Sequence, residues 1–311
     1  MPNPLFFLRS NNPTPTIAPA DWRLRIDGRV QRPLNLRFEE LQSLPSRTEE
    51  VWLECAGNSR RRFDPPGEGN QWDDQAVSNA AFKGVSLGTV LDHVGVLPDA
   101  IEVVASGADA ANFQRSLPLE VARRPEVILA WEMNGEPIPQ PNGGPVRLIV
   151  PSWAGIASVK WPIHIEVLTS SFGGYYHAER YIIVDAEQRT LRSVREMPVK
   201  SLIASPDDGA TLKAGTHLLF GFAWSGFGQI AQVDVSTDDQ RTWSPAQLIH
   251  GAGPFAWTRW EFSWTVTTPG RTTIAARATD TAGNVQPAHA VWNKFGYEMN
   301  AISTRGVTIQ A

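Results

Sequence analysis

The sequence predicts an α+β protein of two domains, a mixed helix-and-strand domain at residues 1–198 followed by a β-sandwich at residues 199–311. Apolar residues recur at helical spacing at two places in the first part of the chain. After the boundary the pattern changes to short strands of alternating polarity, separated by turn residues. A length of 311 residues suits one large domain or two ordinary ones.

In the first domain, strands and helices follow one another. Residues 22–28 alternate apolar and polar side chains and end in Asp-Gly, which predicts a strand and a turn. Residues 36–44 predict a short helix, because apolar residues recur three apart and a proline follows. Residues 81–91 predict a turn and a second helix, on which we expect His93 to be structural, and residues 101–105 predict a strand.

The second domain begins after a proline-containing segment at residues 197–206. Residues 260–266 and 274–279 alternate apolar and polar side chains. Runs such as Thr-Pro-Gly and Asp-Thr-Ala-Gly-Asn separate these strands. Short alternating strands at regular spacing predict a β-sandwich.

Cys55 is the only cysteine in the chain. It cannot form an internal disulfide, so it is a structural thiol, a nucleophile or a metal ligand. An apolar strand-like run at residues 51–53 ends at this cysteine, and a turn of Ala-Gly-Asn follows. Three arginines at residues 60–62 come next, and nearby arginines favour the thiolate that attacks electrophiles or binds soft metals.

The composition argues against several classes of function. The net charge is −4, with 28 basic and 32 acidic residues, so we expect no nucleic-acid partner. No apolar run reaches the roughly 18 residues that a membrane span needs. Residues 1–9 are short and wrongly ordered for a secretory signal, so we expect a cytoplasmic protein, or a periplasmic one if a leader has been removed.

Common cofactor motifs are absent from the sequence. The six histidines show no zinc-binding spacing. No glycine-rich nucleotide loop occurs, and a single cysteine excludes covalent attachment of c-type haem. We see no appended haem or flavin module.

Two blocks of sequence resemble one family. The run LECAGNSR at residues 53–60 resembles the molybdenum-binding stretch of the sulfite oxidase family, in which the cysteine binds molybdenum held by molybdopterin. The run PNGGPVRLIVPSWAGIASVKW at residues 141–161 is similar to a second family motif in the expected order. The resemblance covers nearly the whole chain. It implies molybdenum and molybdopterin as cofactors, and an immunoglobulin-like dimerisation domain at residues 199–311.

The resemblance also implies a cofactor-binding set. Molybdopterin carries a dianionic phosphate, which needs cations and directed donors that Arg147, Ser158 and Lys160 would supply. Gly155 would let the backbone approach closely. Asp109 is either a pterin ligand or an ordinary turn aspartate. The full predicted set is Phe7, Arg9, Asn11, Cys55, Asp109, Asn142, Arg147, Ser158, Val159 and Lys160.

A catalytic set follows from the same resemblance. Cys55 would hold the metal, Arg9 and Arg60 would bind an oxyanion, and Tyr181 and Trp72 would shape the pocket. Tyr175 and Tyr176 are rivals of Tyr181 for the pocket position.

Three positions depart from the family pattern. Asn11 and Asn142 stand where the family has histidines, and Phe295 stands where the family has an arginine that reaches the anion. Lys294 is adjacent, but neighbours on a strand point to opposite faces. One positive charge is therefore expected to be missing from the pocket.

The leading hypothesis is a molybdenum oxidoreductase that transfers an oxygen atom, with a sulfite-like oxyanion as substrate, a cytochrome-like electron acceptor and a homodimeric state. Reduction of nitrate or a sulfoxide is the alternative within the family. A cysteine hydrolase using Cys55 is a second hypothesis, although no histidine lies within 35 residues of it. A non-catalytic β-sandwich binding protein is the third.

Overall fold

The computed structural model describes residues 1–109 and 113–310. Residues 110–112 of the first predicted domain and residue 311 of the second lie outside the described residues. The described part contains 21 strands and four short α-helices, which confirms the α+β prediction.

The helices are short and lie in the first part of the chain. They are α1 Phe38–Gln42, α2 Leu87–Val94, α3 Leu119–Ala122 and α4 Tyr175–Ala178. The second predicted helix is confirmed as α2, although residues 81–86 before it are strand rather than turn. The first is shorter than predicted, because the Glu40 carboxylate accepts the Arg37 backbone N–H at 2.8 Å and starts the helix there.

Twelve strands precede residue 198. They are β1 Arg23–Gly28, β2 Leu34–Arg37, β3 Ser46–Glu54, β4 Val77–Ser86, β5 Glu102–Gly107, β6 Gln114–Pro118, β7 Ile128–Met133, β8 Glu136–Pro137, β9 Arg147–Ile149, β10 Pro162–Leu168, β11 Ile182–Val184 and β12 Thr190–Ser193. One sheet has the order β2-β1-β10-β5-β6, and a second joins β3, β4, β7, β8 and β9. Leu24 and Ile26 alternate inward from β1 into the core that includes residues of both sheets, as the sequence pattern predicted.

Nine strands follow. They are β13 Lys200–Ser205, β14 Thr211–Lys213, β15 Gly215–Trp224, β16 Ile230–Ser236, β17 Ser244–Pro245, β18 Gln247–His250, β19 Thr258–Val266, β20 Gly270–Asp280 and β21 Ser303–Gln310. They form sheets of order β13-β15-β19-β18 and β14-β21-β20-β16-β17 around one apolar core. This confirms the sandwich. The immunoglobulin-like topology and the boundary at residues 198 and 199 stay predictions.

A further apolar cluster joins the two parts of the chain. Trp52 and Tyr181 from the first part pack in it with Trp224, Phe295 and Tyr297 from the second. The ring centroids of Trp52 and Trp224 are 6.2 Å apart. The second part therefore lies directly behind the strand that leads to Cys55.

Strand β3 carries the chain to Cys55. It pairs with β4 along its whole length, from Ser46 opposite Val85 to Glu54 opposite Val77. This pairing fixes the position of Glu54, the last residue of β3, and therefore the point at which Cys55 leaves the sheet. Within the described residues, none of the helices has the length and apolar character needed to cross a membrane.

Candidate active site

One pocket collects most of the predicted site residues. It lies where the N-terminal segment, the turn after β3 and the segments before β10 and β11 meet. Its described lining residues are Phe7, Arg9, Ser10, Asn11, Cys55, Ala56, Asp109, Phe113, Arg147, Gly155, Ile156, Ser158, Val159, Lys160, Trp161 and Tyr181. Among the described residues, every member of the predicted cofactor-binding set except Asn142 is part of this lining.

Cys55 opens a tight turn at the end of β3. Its backbone N–H donates to the Ala76 carbonyl at 2.9 Å, and its carbonyl accepts the Asn58 N–H at 2.9 Å. The thiol accepts a hydrogen bond from the backbone N–H of Gly57. A Cβ at Gly57 would lie 2.3 Å from an Arg60 guanidinium nitrogen, so the glycine leaves room for the Arg60 side chain in its observed position.

The electrostatics around Cys55 are a balance. Burial raises the pKa of the Cys55 thiol, while the Gly57 N–H and the charges of Arg60 and Arg9 lower it. The prediction that the arginines at residues 60–62 favour the thiolate is correct in sign for Arg60, but burial outweighs its effect on the Cys55 pKa. Arg61 and Arg62 pair with aspartates instead. A soft metal cation that displaces the proton would stabilise the thiolate.

Three cations lie in the pocket without acidic partners. Arg147 is buried and donates to the backbone carbonyls of Asn142 at 3.0 Å and Ser158 at 3.3 Å. Lys160 donates to a serine hydroxyl and a backbone carbonyl. Within the described part of the chain, neither these two nor Arg9 has a carboxylate at ion-pair distance. Burial, assisted by the charges of Arg147 and Arg9, lowers the pKa of Lys160 to about 7, and burial lowers that of Arg147 to about 10.

One buried carboxylate and two neutral polar side chains complete this side of the site. The buried Asp109 carboxylate accepts the Asn12 amide at 2.8 Å and the Phe113 backbone N–H at 2.7 Å. The amide nitrogen of Asn142 is buried and has no hydrogen-bond partner among the described residues. The Ser158 hydroxyl accepts a backbone N–H at 3.0 Å, so its own proton is free to donate to a ligand.

Tyr181 lines the pocket beside Cys55. The Asn11 amide donates to the Tyr181 hydroxyl at 3.2 Å, and Arg9 donates to the Asn11 carbonyl oxygen at 3.1 Å. Burial, and then the proximity of Cys55, raise the pKa of Tyr181, so the phenol stays protonated and can donate a hydrogen bond. Its ring stacks on Tyr297 at 5.3 Å between centroids.

Two predicted catalytic residues do not line this pocket. The Arg60 guanidinium lies 5.1 Å from the ring centroid of Tyr297 and donates to a backbone carbonyl at 2.8 Å. Its Nε atom is buried without a partner. Trp72 is half-buried on the loop after Arg60. The rivals Tyr175 and Tyr176 do not line the pocket either.

The position of the missing arginine is aromatic. Phe295 is buried, and the Arg180 guanidinium lies 5.3 Å from its ring centroid. The prediction that Lys294 and Phe295 alternate on a strand is wrong, because this segment is a turn closed by the Gly296 N–H on the Asn293 carbonyl at 2.9 Å. Lys294 instead donates to a glutamine side chain at 3.0 Å.

Sequence reasoning missed several residues. Ser10, Phe113 and Trp161 line the pocket, and two of them are neighbours of predicted residues. It also missed Glu54, whose carboxylate is buried directly behind the cysteine. The signal for Glu54 was present, since a charged residue that ends an apolar strand is unusual.

Family models match both parts of the chain. Residues 11–176 match an oxidoreductase molybdopterin binding domain, and residues 191–308 match a Mo-co oxidoreductase dimerisation domain. Together with the cysteine-and-cation pocket, these matches define a molybdopterin-dependent oxidoreductase. The chain belongs to the sulfite oxidase family.

Three similar proteins illustrate the range of the family. The sulfite oxidase of Gallus gallus is 36% identical over 95% of this chain and 70% of its own length. The NADH nitrate reductase of Solanum lycopersicum is 31% identical over 96% of this chain, which spans only 37% of that enzyme. The crystal structure of the sulfane dehydrogenase SoxCD from Paracoccus pantotrophus has a TM-score of 0.89 at 29% identity, covering 100% of this chain and 83% of the other.

The residues present fit the molybdenum cofactor that the family implies. A lone thiol lies in the same pocket as the buried Arg147 and the half-buried Arg9 and Lys160, whose partners are uncharged, which suits a soft metal and a dianionic phosphate. The unpartnered Asn142 amide offers a further donor.

The pocket does not support the hydrolase hypothesis. No histidine is among its described lining residues, so the geometry offers no base to Cys55. His177 is buried, bonds to the Ser116 hydroxyl at 3.1 Å, and has its pKa lowered to about 4 by burial and by Arg115 and Arg195.

Proposed function

We propose that this enzyme oxidises sulfite to sulfate at molybdenum held by molybdopterin and by the Cys55 thiolate. One observation carries the proposal: Cys55 shares a pocket with Arg9, Arg147 and Lys160, none of which has a carboxylate at ion-pair distance in the described part of the chain. Molybdenum, when bound, supplies the oxygen-atom exchange and holds the electrons. The reaction consumes sulfite and water and yields sulfate, two protons and two electrons.

The cations and amides of the pocket would hold the cofactor. Arg147 and Lys160 would bind its phosphate, with the Ser158 hydroxyl as an additional donor. Asp109 and the Asn142 amide would bind the pterin through hydrogen bonds. The other proposed contacts are Phe7, Arg9, Asn11 and Val159.

The other end of the pocket would receive the oxyanion. Arg9 reaches Tyr181 through Asn11, so an anion beside Cys55 would meet a cation and a neutral phenol together. A protonated phenol donates to an anion where a phenolate would repel it. We propose that Arg60 contributes charge from behind, and that Trp72 closes the pocket only after its loop rearranges.

The two parts of the chain would have separate roles. We assign residues 1–198 to catalysis and residues 199–311 to an immunoglobulin-like domain through which two copies associate. This rests on the dimerisation-domain match at residues 191–308. An external acceptor such as a cytochrome would remove the electrons.

Nitrate or sulfoxide reduction is the second candidate, and the Phe295 position favours it. Without an arginine there, the pocket offers less positive charge to a sulfite dianion, and a singly charged or neutral substrate loses less from that change. The nitrate reductase similarity shows that such chemistry occurs in relatives.

Metal content and turnover test the proposal together. We expect about one molybdenum per chain in protein from a cofactor-producing host, and its loss in Cys55→Ala. Sulfite-dependent ferricyanide reduction should occur in the loaded wild type. Replacing Ser236, which is buried on β16 of the second part and does not line the pocket, by alanine should leave molybdenum bound and provides the control.

Two outcomes would count against these assignments. Loaded protein that reduces nitrate or a sulfoxide but does not oxidise sulfite would move the substrate to the second candidate. Equal molybdenum in wild type and Cys55→Ala would refute the role of the cysteine.

A further inference from the structure

The carboxylate of Glu54, the residue before Cys55, is held mainly from the second part of the chain. Lys200 on β13 donates its ammonium to Glu54 Oε1 at 2.9 Å, and the Trp224 indole N–H on β15 donates to Oε2 at 2.8 Å. The Lys200 and Glu54 side chains are 1% and 0% exposed. Two donors distant in sequence therefore fix the end of the strand that delivers the cysteine.

The same carboxylate connects to the turn that contains Cys55. The Asn58 side-chain amide donates to Glu54 Oε1 at 2.9 Å, while its carbonyl oxygen accepts the Ala76 N–H at 2.9 Å. The backbone N–H of Asn58 closes the turn on the Cys55 carbonyl. A shift of Glu54 would thus move both ends of the turn.

The hydrogen-bond network of Lys200 extends to Ser59 and Asp74. Lys200 also donates to the Ser59 hydroxyl at 2.9 Å, and that hydroxyl donates to Asp74 at 2.6 Å. Ser59 has a left-handed backbone, with φ of 64°, which side chains rarely adopt without support. Arg305 on β21 reaches Asp74 at 3.2 Å.

We propose that Lys200 and Trp224 are positioning residues for the metal-ligating thiol: through Glu54 and Asn58, the second part of the chain sets the location of Cys55. This inference rests on the proposed role of Cys55 as the metal ligand. It gives residues 199–311 a role at the active site in addition to subunit contact. Groups that orient metal ligands from behind affect metal affinity or activity by about 10- to 100-fold when they are removed.

The single cysteine makes a direct test practical. In the full-length, cofactor-free chain, a thiol-alkylating reagent reports only on Cys55. Trp224→Phe removes one donor while keeping an aromatic ring against Trp52, and Lys200→Met removes the other. We expect alkylation of Cys55 to accelerate about tenfold or more in both variants. In the loaded chain, we expect retained molybdenum to fall and the metal–sulfur shell in X-ray absorption to change.

A matched control separates positioning from general stability. Gln286 is buried in the second part, and among the described residues its side chain bonds to backbone groups of Ser201, Ala278 and Ala301. Gln286→Leu should lower the unfolding temperature without changing Cys55 alkylation or the metal–sulfur shell.

The proposal is overturned if the two variants lower the unfolding temperature while the alkylation rate and the metal–sulfur shell stay as in the wild type. It is also overturned if Gln286→Leu changes both readouts equally. Should Lys200→Met fail to fold, Trp224→Phe decides. If the wild type carries no molybdenum, the proposed function fails, but the alkylation rates still test the positioning of Cys55.

Discussion

The charged side chains on the two sides of Cys55 differ in whether they have an oppositely charged partner. In the pocket, Arg147 is buried and Lys160 is half-buried, both with only neutral partners, and their pKa values are lowered to about 10 and about 7, chiefly by burial. Behind the turn, Glu54 and Lys200 are fully buried and pair with each other. A buried charge is costly unless it is compensated.

The difference indicates what each side is for. Paired charges behind the turn are complete in the protein itself and hold its shape. The cations in the pocket lack an anionic partner within the described part of the chain, and the cofactor phosphate would supply one. Substitutions on the two sides should therefore change stability in opposite directions.

The largest effect is expected behind the turn. Lys200→Met leaves the Glu54 carboxylate buried without its cation, and should lower the free energy of unfolding by about 3–5 kcal/mol. Urea unfolding of the cofactor-free chain measures this. The double variant Glu54→Gln/Lys200→Met, which has no buried charge, should recover part of the loss. If Lys200→Met were as stable as the wild type, the pairing of Glu54 with Lys200 would not stabilise the fold.

A smaller effect is expected in the pocket. Lys160→Met should not destabilise the cofactor-free chain, because it removes an uncompensated charge. It should weaken retention of the cofactor, since a charge-assisted hydrogen bond contributes about 1.5–3 kcal/mol, or roughly 10- to 150-fold in affinity. Pterin content after dialysis measures retention. Lys213→Met, at an exposed lysine on β14, is the control. Equal retention in both variants would contradict the phosphate assignment.

The pH dependence of stability tests whether Lys160 lacks an anionic partner in the cofactor-free pocket. Lys160 has a pKa of about 7 in the folded chain, against 10.5 ordinarily. Between these values the unfolded chain binds a proton that the folded chain does not, so lowering the pH from about 10 to about 7 favours unfolding.

Lys160→Met removes this contribution. Its stability gain over the wild type, in cofactor-free protein, should be full below about pH 7 and should fade as the pH approaches 10. Thermal unfolding of both proteins across this range measures the difference. A gain that is the same at pH 6 and pH 9.5 would show that the pKa of Lys160 is not lowered in the folded chain.

The smallest effect is expected at the edge of the paired side. Arg305 and Asp74 are 19% and 12% exposed, so water partly screens the pair. Arg305→Met should cost about 1 kcal/mol and leave the cofactor content unchanged. Unfolding free energy and molybdenum per chain check this, and a loss as large as that of Lys200→Met would show that screening is unimportant here.

Local sequence was enough for much of the site. The motif around Cys55 and the block ending at Trp161 are continuous stretches, and their resemblance to a known family predicted residues that do line the pocket, namely Cys55, Arg147, Ser158, Val159 and Lys160. Helix α2 and strand β1 were predictable for the same reason, because their apolar periodicity is local. The conformation of the segment at Phe295 was not predictable from local sequence, because the same few residues are compatible with either a turn or a short strand.

The sequence by itself determined that the chain has two parts and that the first part carries one thiol, the arginines at residues 60–62 and the predicted phosphate-binding segment at residues 141–161. Only the tertiary structure decided what lies behind the thiol. Lys200 meets Glu54 across 146 residues and Trp224 meets it across 170, because both are brought there by sheets packed in the second part. Burial and strand pairing set such contacts, and no local pattern of polar and apolar residues specifies which distant charge will fill a buried position.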